Sequence, residues 1–259
     1  MRVVLSRKGF DSQYGRIPSP ILPDGTLLSL PIPTSAPGRR FAELTHGGVT
    51  YEQIITDLGG DIGMAAGFCH LDPDLRRGEA VGWVPAFGQV NAAQTHLANQ
   101  GVGVGDLFLF FGRYRQTDLV DGHLRYVRQA PVLHIVFGYL QVGQVVQGDA
   151  VREYPWHPHA GYDACTNNTL YVAADHLLGT ALPGGGTLAC RDNRVLTAPG
   201  HRMSQWLLLD WMRTASISYH SPASLHDDYF QSAAKGQEFV IDDNPNVHSW
   251  ASRLLADTA

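Results

Sequence analysis

Residues 7–15 read RKGFDSQYG: two adjacent cations, a carboxylate, a hydroxyl and a phenol gathered directly behind the apolar stretch RVVLS. A loop at the end of a strand is where a scaffold commonly places the groups that meet a ligand. Arg7, a planar fork, and Lys8, a point charge, suit a phosphate or a carboxylate. Asp11 is placed to orient a ribose hydroxyl or to act as a general base, with Ser12 and Tyr14 as further substrate contacts. The plainer reading is a solvated turn with a structural Asp–Arg pair.

A second stretch, FCHLDPDL, carries Cys69, His70, Asp72 and Asp74. On an extended segment the alternating His70, Asp72 and Asp74 share a face, which is how a metal site is built; Asp-Pro-Asp is equally ordinary turn chemistry. His70 and Asp72 are expected to serve proton transfer. Cys69 lacks a basic partner that the sequence assigns, so a nucleophilic role is not expected of it. The third stretch, YPWHPHAGYDACTNN, holds His157 and His159 two apart, the spacing of a β-type ligand pair, with Asp163 following. Such histidines are more often simple surface groups, and no metal is assigned from the sequence. Asn168, just ahead of a strand, either bonds a base edge or shapes a turn. The fourth stretch is arginine-rich. GRYR at 112–115 and LRYVRQ at 124–129 interleave arginines, Arg113 among them, with Tyr114 and Tyr126. Stacking and phosphate contact require that mixture, and a solvated hairpin explains it too. Gln237 and Glu238 offer an amide and a carboxylate on a late strand, to a base edge or to a strand partner.

The elements that must position these groups follow from the apolar pattern. RVVLS is the first strand. The next stretch holds six prolines between positions 18 and 37, so only short strands fit there, TLLSLPI foremost. A helix starts at Thr50, where Gln53 completes a capping box and Tyr51, Ile54, Ile55 and Leu58 form a stripe; Gly59-Gly60 ends it. A second helix covers 90–98. VGDLFLFFGRYR contains a run apolar on both faces, the mark of a buried strand. PVLHIVFGYLQVGQVVQ is another strand or a bent pair, with Gly138 and Gly143 as bulges. NNTLYVAA and GQEFVID read as strands, and the PGGG of 183–186 as a loop. The chain closes with a helix over NPNVHSWASRLLAD, capped by Asn244 with Pro245 in its first turn.

Composition limits the partners. The 259 residues are 44% hydrophobic and 17% charged with a net charge of −5, enough chain for one sizeable core. Mild acidity argues against tracking along a duplex, which needs many neutralised phosphates, and leaves room for a pocket that takes one nucleotide. Three cysteines without CxxC spacing give no disulfide framework or zinc finger. No run of about 18–20 apolar residues is present for a membrane helix, and the N-terminus has no signal-peptide core. GxGxxG, Walker, HExxH and GxSxG patterns are absent. The expectation is a cytoplasmic protein that does not meet the membrane. Only Lys8 and Lys235 are lysines, and the first lies inside the most distinctive stretch. Neither a cofactor nor an oligomeric state is named by these residues.

Taken in order, RKGFDSQYGRIPSPILPDGTLLSLPIP, FCHLDPDL, GDLFLFFGRYR, HIVFGYLQVGQV, HPH with NNTLYVA, and GQEFV resemble the third of the nucleotide-modification-associated domain families, over nearly the whole chain. The resemblance implies a role in DNA base modification, a context in which the family occurs in bacteria and phages, and carries over no catalytic set. More loosely, Gly-Asp-Leu with its apolar run and the later Gly-x-Leu-x-Val-Gly-x-Val-Val are similar to the barrel core of PUA-like domains, about 100–175. A barrel with an aromatic mouth would hold a flipped or free base. The fold expected is a single α+β domain over 1–259 with a bent, mostly antiparallel sheet or a partly open PUA-like barrel. The function expected is processing of a nucleotide or modified base, free or in DNA. Arg7 and Lys8 would grip phosphate, while Asp11 with His70 or Asp72 would move protons. A non-catalytic reader and a metal-dependent nuclease are the rivals.

Overall fold

The apolar runs fold into strands, and the Pro- and Gly-rich stretches into the links between them. The computed structural model describes all residues except 77–79, 163–165 and 257–259. The first part of the chain forms β1 (Val3–Arg7), β2 (Ser19–Ile21), β3 (Ile32–Thr34), β4 (Thr45–His46) and β5 (Val49–Thr50). There follow α1 (Tyr51–Asp57), α2 (Ile62–Ala65), β6 (Phe68–His70), β7 (Ala86–Gln89) and α3 (Asn91–Asn99). Two long strands dominate the centre, β8 (Leu107–Val120) and β10 (Leu133–Gln147), with β9 (His123–Tyr126) between them in sequence. The remainder forms β11 (Thr169–Ala173), β12 (Gly185–Thr187), β13 (Gln205–Leu207), β14 (Tyr229–Gln231), β15 (Glu238–Ile241) and α4 (Pro245–Leu255).

The main sheet runs β15-β1-β8-β10-β11-β7, with β2 and β9 added along β8 and β12 along β10. It is mostly antiparallel; β1 and β2 lie parallel to β8. The LFLFF run of β8 sends Phe108 and Phe110 to one face and Leu109 and Phe111 to the other, as a strand buried on both faces requires. Every strand of the main path contributes to the first of these cores. Val240, Val4, Phe108, Leu140, Tyr171 and Phe87 come from β15, β1, β8, β10, β11 and β7 in that order. The sheet is therefore bent around this cluster. Its other face packs on Trp206, Phe230 and the stripe Val247, Trp250 and Leu254 of α4. A third cluster gathers Phe10, Leu28, Leu30, Phe41 and the buried stripe of α1.

The molecule is a single α+β domain; of the two forms expected, the bent, mostly antiparallel sheet is the one present, and it is not closed into a barrel. No ladder joins β7 to β15 among the described residues. The reason is local. Val240 on the outer edge of β15 accepts from Ser218 N–H at 2.9 Å and donates to Ser218 Oγ at 2.9 Å, and Asp242 N–H donates to Ser216 O at 3.2 Å, so the 216–218 segment and not β7 borders that edge. A side-chain bond bridges the two edges instead, from Gln89 Nε2 on β7 to Glu238 Oε1 on β15 at 2.8 Å.

Several local expectations are met in the backbone. Register shifts fall at Val136/Gly138 and at Val142/Gln144, so both glycines of β10 lie at bulges. Thr50 Oγ1 accepts from Gln53 N–H at 3.2 Å, although the Gln53 side chain turns to Asp57 Oδ1 at 2.7 Å, leaving half a capping box. Asn244 caps α4 through Asn246 N–H at 2.9 Å. Two differ. Leu27, Leu28 and Leu30 are buried without forming a strand, and β3 begins only at Ile32. The PGGG stretch contains β12, paired to β10, because glycines allow it to approach the 173–174 backbone where any Cβ at Gly184 would overlap Ala174.

A candidate carboxylate–histidine centre

β6 ends at His70, and two residues further Asp72 turns beneath β7, where Gly88 N–H donates to its Oδ1 at 2.8 Å. The HPH segment arrives from the opposite direction as a short turn of 3₁₀ helix, with Pro158 in its first position and His157 as its cap. His159 N–H donates to His157 Nδ1 at 3.2 Å, which leaves His157 Nε2 3.3 Å from Asp72 Oδ1. His159 Nδ1 lies 2.8 Å from Asn168 Oδ1, and Asn168 Nδ2 donates back to His159 O at 2.9 Å. Because the amide oxygen only accepts, this bond puts the proton on His159 Nδ1 and directs the Nε2 lone pair toward Asp72. His70 Nε2 and His159 Nε2 each stand 3.7 Å from Asp72 Oδ2. His70 Nδ1 is 3.4 Å from the Tyr162 hydroxyl, and the two rings stack. Gly88 is required by this packing, since a Cβ there would overlap the His159 ring.

Burial favours the protonated form of Asp72, but the facing imidazoles of His157, His70 and His159 outweigh it and hold the carboxyl well below the usual range. Burial pushes His159 down to about 4 against the pull of Asp72, so its ring is neutral near neutral pH. Three imidazoles around one ionised carboxylate can pass a proton, and the ligand atoms of His70, Asp72 and His159 lie within 4.8 Å of one another, close enough to share a metal ion.

His70, Asp72 and His157 form part of the wall of a cavity of about 710 Å³, within the size range of small-molecule sites. Trp83, Trp156 and Tyr162 bring aromatic surface to it, and Arg39 and Arg76 bring positive charge. Arg76 stands over the Tyr51 ring at 5.6 Å, and no described carboxylate lies within ion-pair distance of either arginine. Asp74 also lines the cavity but is not part of the cluster: it accepts from Trp83 Nε1 at 2.9 Å, and burial raises its pKa. Burial pushes the Cys69 thiol up to about 12, so it is no nucleophile.

Two stretches far apart in the chain, at 70–72 and 157–168, thus build one centre. Asp163 lies outside the described residues, as does Cys165. The other sequence candidates are placed elsewhere. Arg7 donates to Ala233 O and Ala234 O and covers Phe111 and Phe239, on the face that packs against α4. Lys8 Nζ is bound to Glu238 Oε1 at 2.7 Å and lies over the Phe87 ring. Asp11 Oδ1 accepts from Gln13 and Tyr14 N–H, each at 2.7 Å, closing a turn that leaves Ser12 and Tyr14 exposed. Gln237 is exposed and gives its carbonyl to Arg7 N–H. Arg113 stands opposite His134 on the β8–β10 ladder, away from the cluster. Of the residues expected to contact substrate, Asn168 alone touches the centre, as the clamp on His159. Arg39, Arg76 and Tyr162 carried no pattern that sequence reading could use.

Fold and site together define an α+β protein with an ionised, histidine-ringed carboxylate in the wall of a ligand-sized cavity. The chain belongs to the family described as nucleotide modification associated domain 3, whose model matches residues 2–242. No curated protein and no solved structure matches it. No described helix is long and apolar enough to cross a membrane.

Proposed function

We propose that the protein is an enzyme that modifies a nucleotide or a nucleobase, with its chemistry at Asp72 and the surrounding imidazoles. The observation that carries this reading is the convergence of His70, His157 and His159 on Asp72, with His70, Asp72 and His157 in the wall of the cavity. A module that only reads a modified base needs aromatic faces and cations, and has no use for an ionised carboxylate held among three histidines. The cavity supplies both sets of groups. Tyr162 and the two tryptophans offer faces for a base, and the Arg39 and Arg76 guanidinium groups suit a phosphate. Asp72, ionised and paired with imidazoles, is equipped to orient an imidazole and to stabilise it as it takes a proton from a substrate hydroxyl, amine or water.

The test is to incubate the purified chain with deoxynucleotides and with short single- and double-stranded DNA, then to digest the products and weigh the nucleosides. A mass change that disappears in Asp72→Asn supports the reading. Binding without any product would assign the protein to the readers, and product formation that survives both Asp72→Asn and His70→Ala would move the chemistry elsewhere.

A further inference from the structure

We propose that His70, Asp72 and His159 bind one divalent first-row transition-metal ion. The fold treats the two oxygens of Asp72 differently. Oδ1 takes the Gly88 N–H at 2.8 Å and faces His157 Nε2 at 3.3 Å. Oδ2 accepts no hydrogen bond among the described residues; His70 Nε2 and His159 Nε2 stand at 3.7 Å, too far for one. In the tautomer that Asn168 imposes, His159 Nε2 carries a lone pair aimed at that oxygen. Two lone pairs facing each other beside a carboxylate that is 6% exposed repel unless a cation stands between them. Around a tetrahedral ion with ligands at about 2.1 Å, neighbouring ligand atoms are roughly 3.4 Å apart. The two imidazole–carboxylate separations need only a few tenths of an ångström of closure, and all three ligand atoms already lie within 4.8 Å of one another.

His157 supplies an independent indication. Its side chain is fully buried, and among the described residues its Nε2 makes no regular hydrogen bond and faces Asp72 Oδ1 at 3.3 Å. With Nδ1 taken by the His159 N–H, its Nε2–H steadies Oδ1 and does not ligate. Asn168 does the corresponding work for His159, the outer-shell arrangement that fixes a ligating imidazole. Two nitrogens and one carboxylate suit zinc, iron(II) or cobalt(II), and are a poor match for calcium or magnesium, which prefer oxygen. Three protein ligands leave positions open, and His70 and Asp72 border the cavity, so those positions are within reach of a substrate or a water molecule.

Metal binding is independent of the nucleotide reading, and it is tested without any nucleotide. The full chain, stripped with chelator, is titrated with cobalt(II), zinc(II) and iron(II), the last under exclusion of air. One equivalent is expected, with the intense visible band of low-coordinate cobalt and paramagnetically shifted imidazole protons in the wild type. Asp72→Asn and His159→Gln should each lower affinity by about 100-fold or more while near-ultraviolet circular dichroism shows an intact fold. The wild-type measurement decides even where a variant fails to fold. Absence of uptake of all three ions would overturn the site, and so would shifted protons that belong to other histidines or undiminished uptake in the folded variants. Such a failure would leave the centre without an ion and would not touch the product assay.

Discussion

At the scale of single residues, Asn168 shows how much of this centre depends on a group that touches neither substrate nor carboxylate. It is 4% exposed, accepts from His159 Nδ1 and donates to His159 O, so it fixes both the tautomer and the position of the ring. Asn168→Ala would strand a buried ring donor and a buried carbonyl, at a cost of about 1–3 kcal/mol. Asn168→Asp keeps the acceptor toward Nδ1 but sets a carboxylate oxygen against the His159 carbonyl and brings a charge into the interior, so it should destabilise at least as much. Urea denaturation of the two variants beside wild type measures this order, and equal stabilities for all three would show the clamp to be idle. Asp11 belongs to the opposite category. Its carboxylate closes a turn through two backbone donors at 2.7 Å, and the same turn seats Phe10 in a core so tightly that a Cβ on Gly15 would overlap its ring. RKGFDSQYG is distinctive because its residues form this socket. Asp11→Ala should lower stability and leave nucleotide chemistry at Asp72 unchanged.

At the scale of elements, the strands and helices were largely legible and their meeting points were not. Alternation, turn residues and capping are properties of a few consecutive positions, which is why β1, β10 with its two bulges and α4 with its Asn-Pro start stand where the pattern put them. The short strands among the prolines and β12 among the glycines depend on partners far along the chain, so local pattern misjudged them. The site obeys the same limit. His70 with Asp72, and His157 with His159, each had ligand-like spacing two residues apart, yet nothing local said that the two pairs share one carboxylate. That pairing is made by β7 lying beside β11, which sets Gly88 between Asp72 and His159. Gly88→Ala tests this directly. The strand position tolerates a side chain in backbone terms, but the methyl group would enter the space of the His159 ring. The variant should fold with a loss of about 1–3 kcal/mol from overpacking, and should lose activity and metal uptake as completely as a ligand substitution. A fully active, metal-replete Gly88→Ala protein would mean that His159 is free to move and that the centre is not built as described.

At the scale of the whole molecule, the open sheet raises the question of what holds its two edges in place. The answer is a buried polar knot at Glu238. Its Oε1 accepts from Lys8 Nζ at 2.7 Å and from Gln89 Nε2 at 2.8 Å, so one carboxylate ties β15 to the end of β1 and to β7. The side chains of Lys8 and Glu238 are 10% and 1% exposed, and Glu238 Oε2 is buried without a hydrogen-bond partner among the described residues. Removing the lysine would leave an uncompensated charge in the interior. Lys8→Met should therefore cost about 3–5 kcal/mol, and adding Glu238→Gln should restore most of it, because the amide oxygen still accepts from Gln89 and no charge remains to be desolvated. Lys8→Arg should fall between the two. The charge survives, but the wider guanidinium must fit between Glu238 and the Phe87 ring, whose centre lies 4.5 Å from Nζ. Guanidinium denaturation of the four proteins measures the cycle, and nucleotide binding measured on the same samples separates this account from a phosphate-gripping role. If Lys8 grips phosphate, Lys8→Met weakens binding at nearly unchanged stability and the second substitution rescues nothing. If it anchors the sheet edge, stability collapses and recovers with the carboxylate's charge, and the recovered double variant binds nucleotide as wild type does.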